Sequence, residues 1–566
     1  MNRYVLGFDF GTLSCRGVVL NVETGELCVT AEDAYRRGVI TGKLPEADIS
    51  LPDEWCLQDP DDWLFSMRKI CGDMLDRAGV NPDQVIGLGV DFTSCTLLPV
   101  KKDGTVLCQI PAFRDDPNAW PKLWKHHGAQ NQAERLENYA AVNTDWLKDY
   151  FGNSVSSEWA YPKMLQVLEE SPKAYEAADY FIEGMDYIPM LLTGEVTRNN
   201  GVLGVNFFYI EGRGFPDDSF AAGVNPSFRN VVKEKLGGRI LKPGELVGTV
   251  KPEMARFLGV SEKTVVSVGN SDGAIAGCGA GVNESGSMML VVGTSTCHQM
   301  MYDRYVPFDG ICSIAADGMV PGLYGYESGQ PATGDLFSWF AKNCAPESVT
   351  QQASCRGMSV LDYLNDEAQK LLPGECGLVT IDWLSGNRSI LSNYDLSGAM
   401  IGLTLETTPV DMYRSLVEAN VYGTRMIIEN YELHGVHIDR IYAIGGISRK
   451  CPWIMQMIAD VLRSDIIVPQ FDNVPAYGAA ATAAVAAYQA GIEYGCRDFN
   501  ETAKRLIPKE TIVYHPDLSK SVMYDEVYEQ YRVLHDYFGL DSTFMKKVKE
   551  IKVNRKKQKT EKEDET

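Results

Sequence analysis

Four short strings hold the residue types that phosphoryl chemistry needs. The first is Asp9-Phe10-Gly11-Thr12, straight after an apolar run from Tyr4. A glycine turn lets backbone N–H groups approach an anion, and Thr12 adds a hydroxyl. Asp9, at the end of the run, offers Mg²⁺ a hard oxygen ligand. The second is Gly293-Thr294-Ser295-Thr296, in the same setting. Each turn alone also reads as an ordinary hairpin; two of them facing each other would cradle a triphosphate. The third is Gly445-Gly446-Ile447-Ser448, between a strand and a helix. Paired glycines let a base or ribose lie against the backbone, although taken alone the string reads better as a plain strand-to-helix connection. The fourth is Gly269-Asn270-Ser271-Asp272-Gly273, at the carboxyl end of an apolar strand, where open α/β sheets carry sites. Transfer to an alcohol needs a carboxylate to accept the hydroxyl proton, and Asp272 has that chemistry. Asp272 fits equally well as the N-cap of a helix over 274–280.

The elements that must position these residues follow from pattern. Residues 4–30 read as three strands with turns near Gly11 and at 23–26, followed by a helix over 60–79 and a buried strand over 85–92. The stretch 158–193 reads as two helical pieces broken near Ser171-Pro172. From about residue 286 the opening repeats: strand, Gly-Thr turn, strand. A strand over 440–446, a helix over 452–463 and an alanine-rich helix over 476–491 close that block. This gives two α/β halves, 1–285 and 286–545, and a charged, disordered tail over 546–566.

Composition narrows the partners. With 566 residues the chain is too long for one core. A net charge of −23 disfavours nucleic acid and anionic membranes as partners. No run reaches the ~18 apolar residues of a membrane span. The 14 cysteines contain no CxxC pair, which leaves no zinc pattern and suits a reducing, cytoplasmic setting. There is no GxxxxGK[ST] loop, no protein-kinase catalytic loop, no complete dinucleotide fingerprint and no HExxH. His126-His127 read as helical.

With these residues assembled, the chain resembles the FGGY carbohydrate kinases of the actin-like ATPase superfamily, and among them the ribulokinase branch. The resemblance spans about 4–490. It is carried by GFDFGTLSCRG (7–17), GVDFTSCTLLPV (89–100), LWKHHGAQ (123–130), SSEWAYPKMLQ (156–166), VVGTSTCH (291–298), DWLSGNRS (382–389) and AIGGISRKCPWIMQMIADVL (443–462). It implies two ribonuclease-H-like domains around a cleft, ATP and Mg²⁺ as cofactors, and a ketopentose as substrate, L-ribulose first. It also implies that Asp272 is the base. Ser94 and Glu327 match sugar contacts, Gly11, Thr12, Gly293 and Thr294 match phosphate positions, and Gly445 and Gly446 match the adenosine motif. Asp9 and Asp272 stand near the metal.

One departure stands out. Where that branch carries a sugar-contacting lysine, Asn206 occupies the place and brings hydrogen bonds without charge. The substrate is therefore less fixed than the reaction. Xylulose, ribitol or another polyol stays open, as does an actin-like ATP-binding module that transfers nothing. A homodimer is one assembly this reading leaves open.

Overall fold

The computed structural model describes residues 2–146 and 154–564, the side chains of 553 and 556–564 apart. Its frame is two mixed sheets. The first contains β1 (Tyr4–Phe10), β2 (Ser14–Asn21), β3 (Leu27–Ala34), β4 (Val85–Phe92), β5 (Leu246–Thr249), β6 (Val265–Ser267) and the two-residue β7 (Asn270–Ser271). Its order is β3-β2-β1-β4-β6-β5, with β7 also on β4. The second contains β8 (Ser287–Val292), β9 (Thr296–Tyr302), β10 (Ser313–Ala316), β11 (Tyr324–Gln330), β12 (Arg440–Ile444), β13 (Ile466–Pro469) and β14 (Thr511–Tyr514). Its order is β10-β11-β9-β8-β12-β13-β14.

The two sheets share one plan. In the first, β1, β2 and β3 form an antiparallel meander, while β4 and β6 run parallel to β1. In the second, β8, β9 and β11 make the meander, with β12 and β13 parallel. The weak repeat of Gly-Thr hairpins in the sequence is thus a duplicated 3-2-1-4-5 topology. β1 and β4 are buried throughout and apolar but for Asp9 and Asp91, because both faces of the sheet are covered.

The first cover is α1 (Pro60–Ala78). Asp59 caps it by accepting from Asp61 N, Pro60 opens it, and Gly79 ends it at φ 62°. Trp63, Met67, Ile70 and Met74 face the sheet. Two short helices, α2 (Asn200–Asn206) and α3 (Asp272–Gly279), complete the first half's contribution to the cleft. In the second half, α4 (Pro409–Leu433) begins on a Thr408–Asp411 capping box and packs Tyr413, Leu416 and Val417 into the core. It is followed by α5 (Pro452–Leu462) and α6 (Val474–Gln489).

α6 is expected to close the second block, and the structure gives it another place. Its alanines 476, 480, 483 and 484 pack with Val5, Val18, Leu20 and Ile86 of the first sheet. A Cβ added at Gly7 would lie 1.9 Å from Ala476 O, and one at Gly89 1.9 Å from Ala479 O. Only glycine lets the helix backbone touch the sheet. α3 meanwhile packs Ala274, Ala276 and Cys278 with Met289, Met301 and Ile444 of the second sheet. α3 and α6 each follow the fifth strand of their own plan and together make the layer between the sheets.

Three local expectations change. Within 158–193 the break at Ser171-Pro172 is present, but Tyr180–Glu183 is a strand paired with Leu97–Val100. Four residues are too few to show a period of two. His126 and His127 lie outside any helix. Residues 544–564, expected to be a disordered tail from 546 onward, form α7 (Phe544–Asp564). Lysine, glutamine and glutamate favour helix, Met545 is buried in the second core, and Lys549 Nζ bonds Asp395 Oδ1 at 2.9 Å.

Candidate active site

LGFDF (6–10) of β1 lies beside LGVDF (88–92) of β4, residue for residue, so Asp9 pairs with Asp91. On the other side of β4, Asn270 pairs with Asp91 and Ser271 with Phe92, which delivers Asp272 to the same sheet end. Strands stand about 4.8 Å apart, so three carboxylates emerge side by side at the carboxyl ends of neighbouring strands. The β1–β2 register sets Arg16 opposite Asp9, and Arg16 Nη1 reaches Asp9 Oδ2 at 3.0 Å.

This cluster holds more acid than its single guanidinium can neutralise. Burial, followed by the charges of Asp9 and Asp272, pushes the Asp91 carboxyl well above the usual range. Burial likewise raises Asp9 against the pull of Arg16. Asp272 is pushed up to about 7, by burial first and Asp9 second. Both Asp91 oxygens are buried without a donor among the described residues, and the group they face is another acid. Such a pair needs a shared proton or a cation. The donor set suits a hard divalent ion. Among the described residues no three His, Cys, Asp or Glu side chains converge as a ready metal cage. An ion here would therefore complete its shell with water and phosphate, as Mg²⁺ does.

The two glycine turns close in similar ways. Gly11 N donates to Ser14 O at 3.0 Å, and Gly293 N to Ser295 O at 2.8 Å. The glycine amides expected to meet phosphate are thus spent on the turns themselves. The amides of Thr12, Leu13, Thr294 and Ser295 have no backbone partners among the described residues. The Thr12 hydroxyl accepts from Trp124 Nε1 at 3.1 Å, which leaves its proton to donate outward. The second turn is braced by the helix over 334–343: the amides of Thr333 and Gly334 donate to Thr294 O and Gly293 O at 2.7 and 2.9 Å. Gly445 has φ 102°, and a Cβ there would lie 2.4 Å from Val292 O. The structure therefore brings Gly445 against the residue before Gly293, while Gly446 stays open on its exposed side.

An open cavity lies between the halves. Ser94, Val202, Asn270 and Ser271 line it from the first half, and Gln299 and Glu327 from the second. Asp272 is not itself among the lining residues; it lies in the chain between two that are, Ser271 and Ala274, which sets it at the cavity's edge, partly exposed. It is the first residue of α3, and its Oδ1 accepts from Gly273 N at 2.7 Å. Ser271 holds the cap position without a side-chain cap bond, and Asp272, one residue on, satisfies a first-turn amide itself, so the capping and base readings of Asp272 are compatible. Glu327 pairs with Gln299 in the β9–β11 register, and burial raises its carboxyl against the charge of Arg388. Arg388 of the second half also reaches Glu158 of the first at 3.5 Å. Asn206 is fully buried behind Ser94 and is not on the cavity wall. His126 is buried against Gln166 Oε1 at 2.9 Å, away from this wall.

Sequence reasoning did not single out Asp91, Arg16, Gly334 or Arg388. The first two had a signal. LGFDF and LGVDF are near copies, and a turn over 11–13 puts residue 16 opposite residue 9.

The chain matches the model of the FGGY family of carbohydrate kinases, N-terminal domain, over 4–279, and the C-terminal domain of the same family over 288–487. It is 40% identical over 562 residues to a ribulokinase of Mycolicibacterium smegmatis, covering 99% of this chain and 98% of that protein. A ribulokinase of Bacillus licheniformis is 39% identical over 541 residues, covering 95% and 98%. Among solved structures, the ligand-bound xylulose kinase of Lactobacillus acidophilus superposes with a TM-score of 0.76 at 17% identity, covering 95% of this chain and all of that one. The xylulose kinase of Rhodospirillum rubrum gives 0.74 at 20% identity, covering 94% and 98%.

Proposed function

The chain belongs to the FGGY family of carbohydrate kinases and is a sugar kinase, and from that premise we propose that it passes the γ-phosphoryl group of ATP to the terminal hydroxyl of a ketopentose, L-ribulose before others. The observation that carries this reading is Asp272, a carboxylate with a raised pKa at the edge of a cavity between the two halves. The choice of L-ribulose rests on the full-length likeness to proteins named ribulokinase.

In this reading residues 1–285 hold the sugar and 286–545 the nucleotide. Asp272 accepts the proton as the sugar oxygen attacks, which a pKa near neutrality suits. Ser94 and Glu327 orient the sugar. Thr12 and Thr294, with the amides beside Gly11 and Gly293, receive the phosphates, and Gly445 and Gly446 face the adenosine. Mg²⁺ would be held at Asp9 and Asp272 and would supply charge neutralisation on the polyphosphate. Closing the halves on each other excludes water from the transfer. All 14 cysteines are unpaired, which supports a reducing cytosolic setting, and no described helix is long and apolar enough to cross a membrane.

A second reading, a kinase for xylulose or a pentitol, gains from Asn206, which brings no charge to the sugar side. A coupled ADP-release assay over ketopentoses and pentitols tests both. The expected result is sugar-dependent ADP release with L-ribulose fastest. Faster release with another pentose moves the substrate, and no sugar-dependent release anywhere in the panel removes the proposal.

A further inference from the structure

Ser94 stands on a turn that the protein has built with care. Cys95, next to it, has φ 59°, a conformation costly for a residue with a Cβ. Several bonds hold the turn. Thr93 Oγ1 and Thr96 Oγ1 meet at 2.8 Å, Cys95 N donates to Glu183 Oε2 at 3.2 Å, and Lys163 Nζ donates to Cys95 O at 2.6 Å. Behind the turn, Asn206 Nδ2 donates to Glu183 Oε1 at 2.8 Å and to Ser94 Oγ at 3.1 Å, while Asn206 Oδ1 faces Cys95 Sγ at 3.1 Å.

The direction of these bonds follows from Cys95. Burial keeps its thiol protonated, and the thiol donates to Asn206 Oδ1, which leaves the amide nitrogen facing Ser94 and Glu183, whose carboxyl burial pushes up to about 8. One N–H then serves Glu183 and the other serves Ser94. The Ser94 oxygen is therefore an acceptor toward Asn206. Among the described residues its own proton finds no oxygen, only Cys95 Sγ at 3.7 Å, a weak partner. The remaining direction is the cavity that Ser94 lines. Among the described side chains lining that cavity the one charged group is Glu327, an acid that would repel a carboxylate on the sugar.

We propose that Asn206 determines substrate specificity through Ser94: its amide, anchored on Glu183, makes the Ser94 hydroxyl a donor to one oxygen of an uncharged sugar. This rests on the sugar-kinase reading and adds to it the class of acceptor and the polarity of one contact. Asn206 is a positioning residue, since it touches the cavity only through Ser94.

The test is a cycle of Ser94→Ala, Asn206→Ala and the double variant in the full-length protein. Each is assayed on the ketopentose that the wild type uses best and on its single-deoxy analogues. Ser94→Ala should lower kcat/KM roughly 3–10-fold, chiefly through KM, as loss of one neutral hydrogen bond would. One deoxy analogue that the wild type uses poorly by a similar factor should carry no penalty in Ser94→Ala. Asn206→Ala should cost a comparable factor, and the double variant no more than Ser94→Ala alone. Losses that multiply in the double variant would overturn the proposal, as would a deoxy penalty unchanged by Ser94→Ala. The second comparison needs only the wild type and the near-isosteric Ser94→Ala, so it decides even if Asn206→Ala does not fold. A wild type that prefers a sugar acid defeats this inference alone. A wild type that phosphorylates no sugar defeats the kinase reading and this inference with it.

Discussion

Where the first sheet pairs Asp9 with Asp91, the second pairs Val291 with Ile444. Where the first hairpin sets Arg16 opposite Asp9, the second sets Cys297 opposite Val291. The strands, their order and the Gly-Thr turn that follows are shared, yet all the charge at these positions lies on one side. The pattern shows that topology fixes where a strand end points but not what it carries. At these strand ends one half carries acids that would suit a cation, and the other carries apolar residues beside a turn of amides and hydroxyls. A polyphosphate with its metal would meet both, and the division spares it two acidic faces at once.

Substitutions that erase this asymmetry should differ greatly in effect. The largest belongs to Asp272. Asp272→Asn keeps the shape and removes the proposed base, so sugar-dependent turnover should fall by roughly 10²–10⁴-fold, measured as ADP release at saturating ATP and sugar. Unchanged turnover in a folded protein would leave the acidic strand ends without a catalytic part.

Next is an exchange across the two sheets. Ile444→Asp places an acid at the buried position equivalent to Asp91, with no arginine opposite its neighbour. It should cost about 3 kcal/mol or more in denaturant unfolding. Asp91→Asn, at the matching position, should leave the metal-free protein at least as stable as the wild type above pH 7, because it removes a buried acid with no donor. If both variants lost stability equally, the contrast between the strand ends would be one of shape rather than charge.

The smallest effect is a pH dependence. Asp9, Asp91 and Asp272 titrate above the usual carboxylate range in the folded protein, Asp272 near 7. The folded state therefore holds more protons than the unfolded state between about pH 4 and 7. The stability these groups contribute is complete below pH 4 and is lost as pH rises through the folded values. Thermal melts of the metal-free protein should fall over that window from these groups, and a divalent cation should flatten the slope above pH 6. A slope untouched by both Mg²⁺ and Asp91→Asn would mean that other groups set it.

Much of this architecture is legible in the residues. The two Gly-Thr hairpins, the buried strand over 85–92 and the helix after Asp59-Pro60 follow from apolar runs, glycine and proline placement, and capping. The rest is hidden for physical reasons. Pairing between β1 and β4 spans some 80 residues, so Asp91 gains meaning only once the register is known. The strand carrying Glu183 is four residues long and merges into the helix that follows. Asn206 is expected on the sugar from the sequence, yet only the folded chain shows that it lies behind Ser94 and bonds its hydroxyl. The placing of α6 could not be read at all, because an all-alanine face fits either sheet equally well.

That placing has a consequence for biosynthesis. The face of the first sheet formed by Val5, Val18, Leu20 and Ile86 is made early in translation, but its cover, α6, is made near the end. Until then the nascent chain presents a bare oily surface, an inviting target for holdase chaperones and for aggregation. Clipping the finished protein in the loop before α6 need not dismantle it, since a helix seated by alanine–glycine contact can stay docked without a covalent tether.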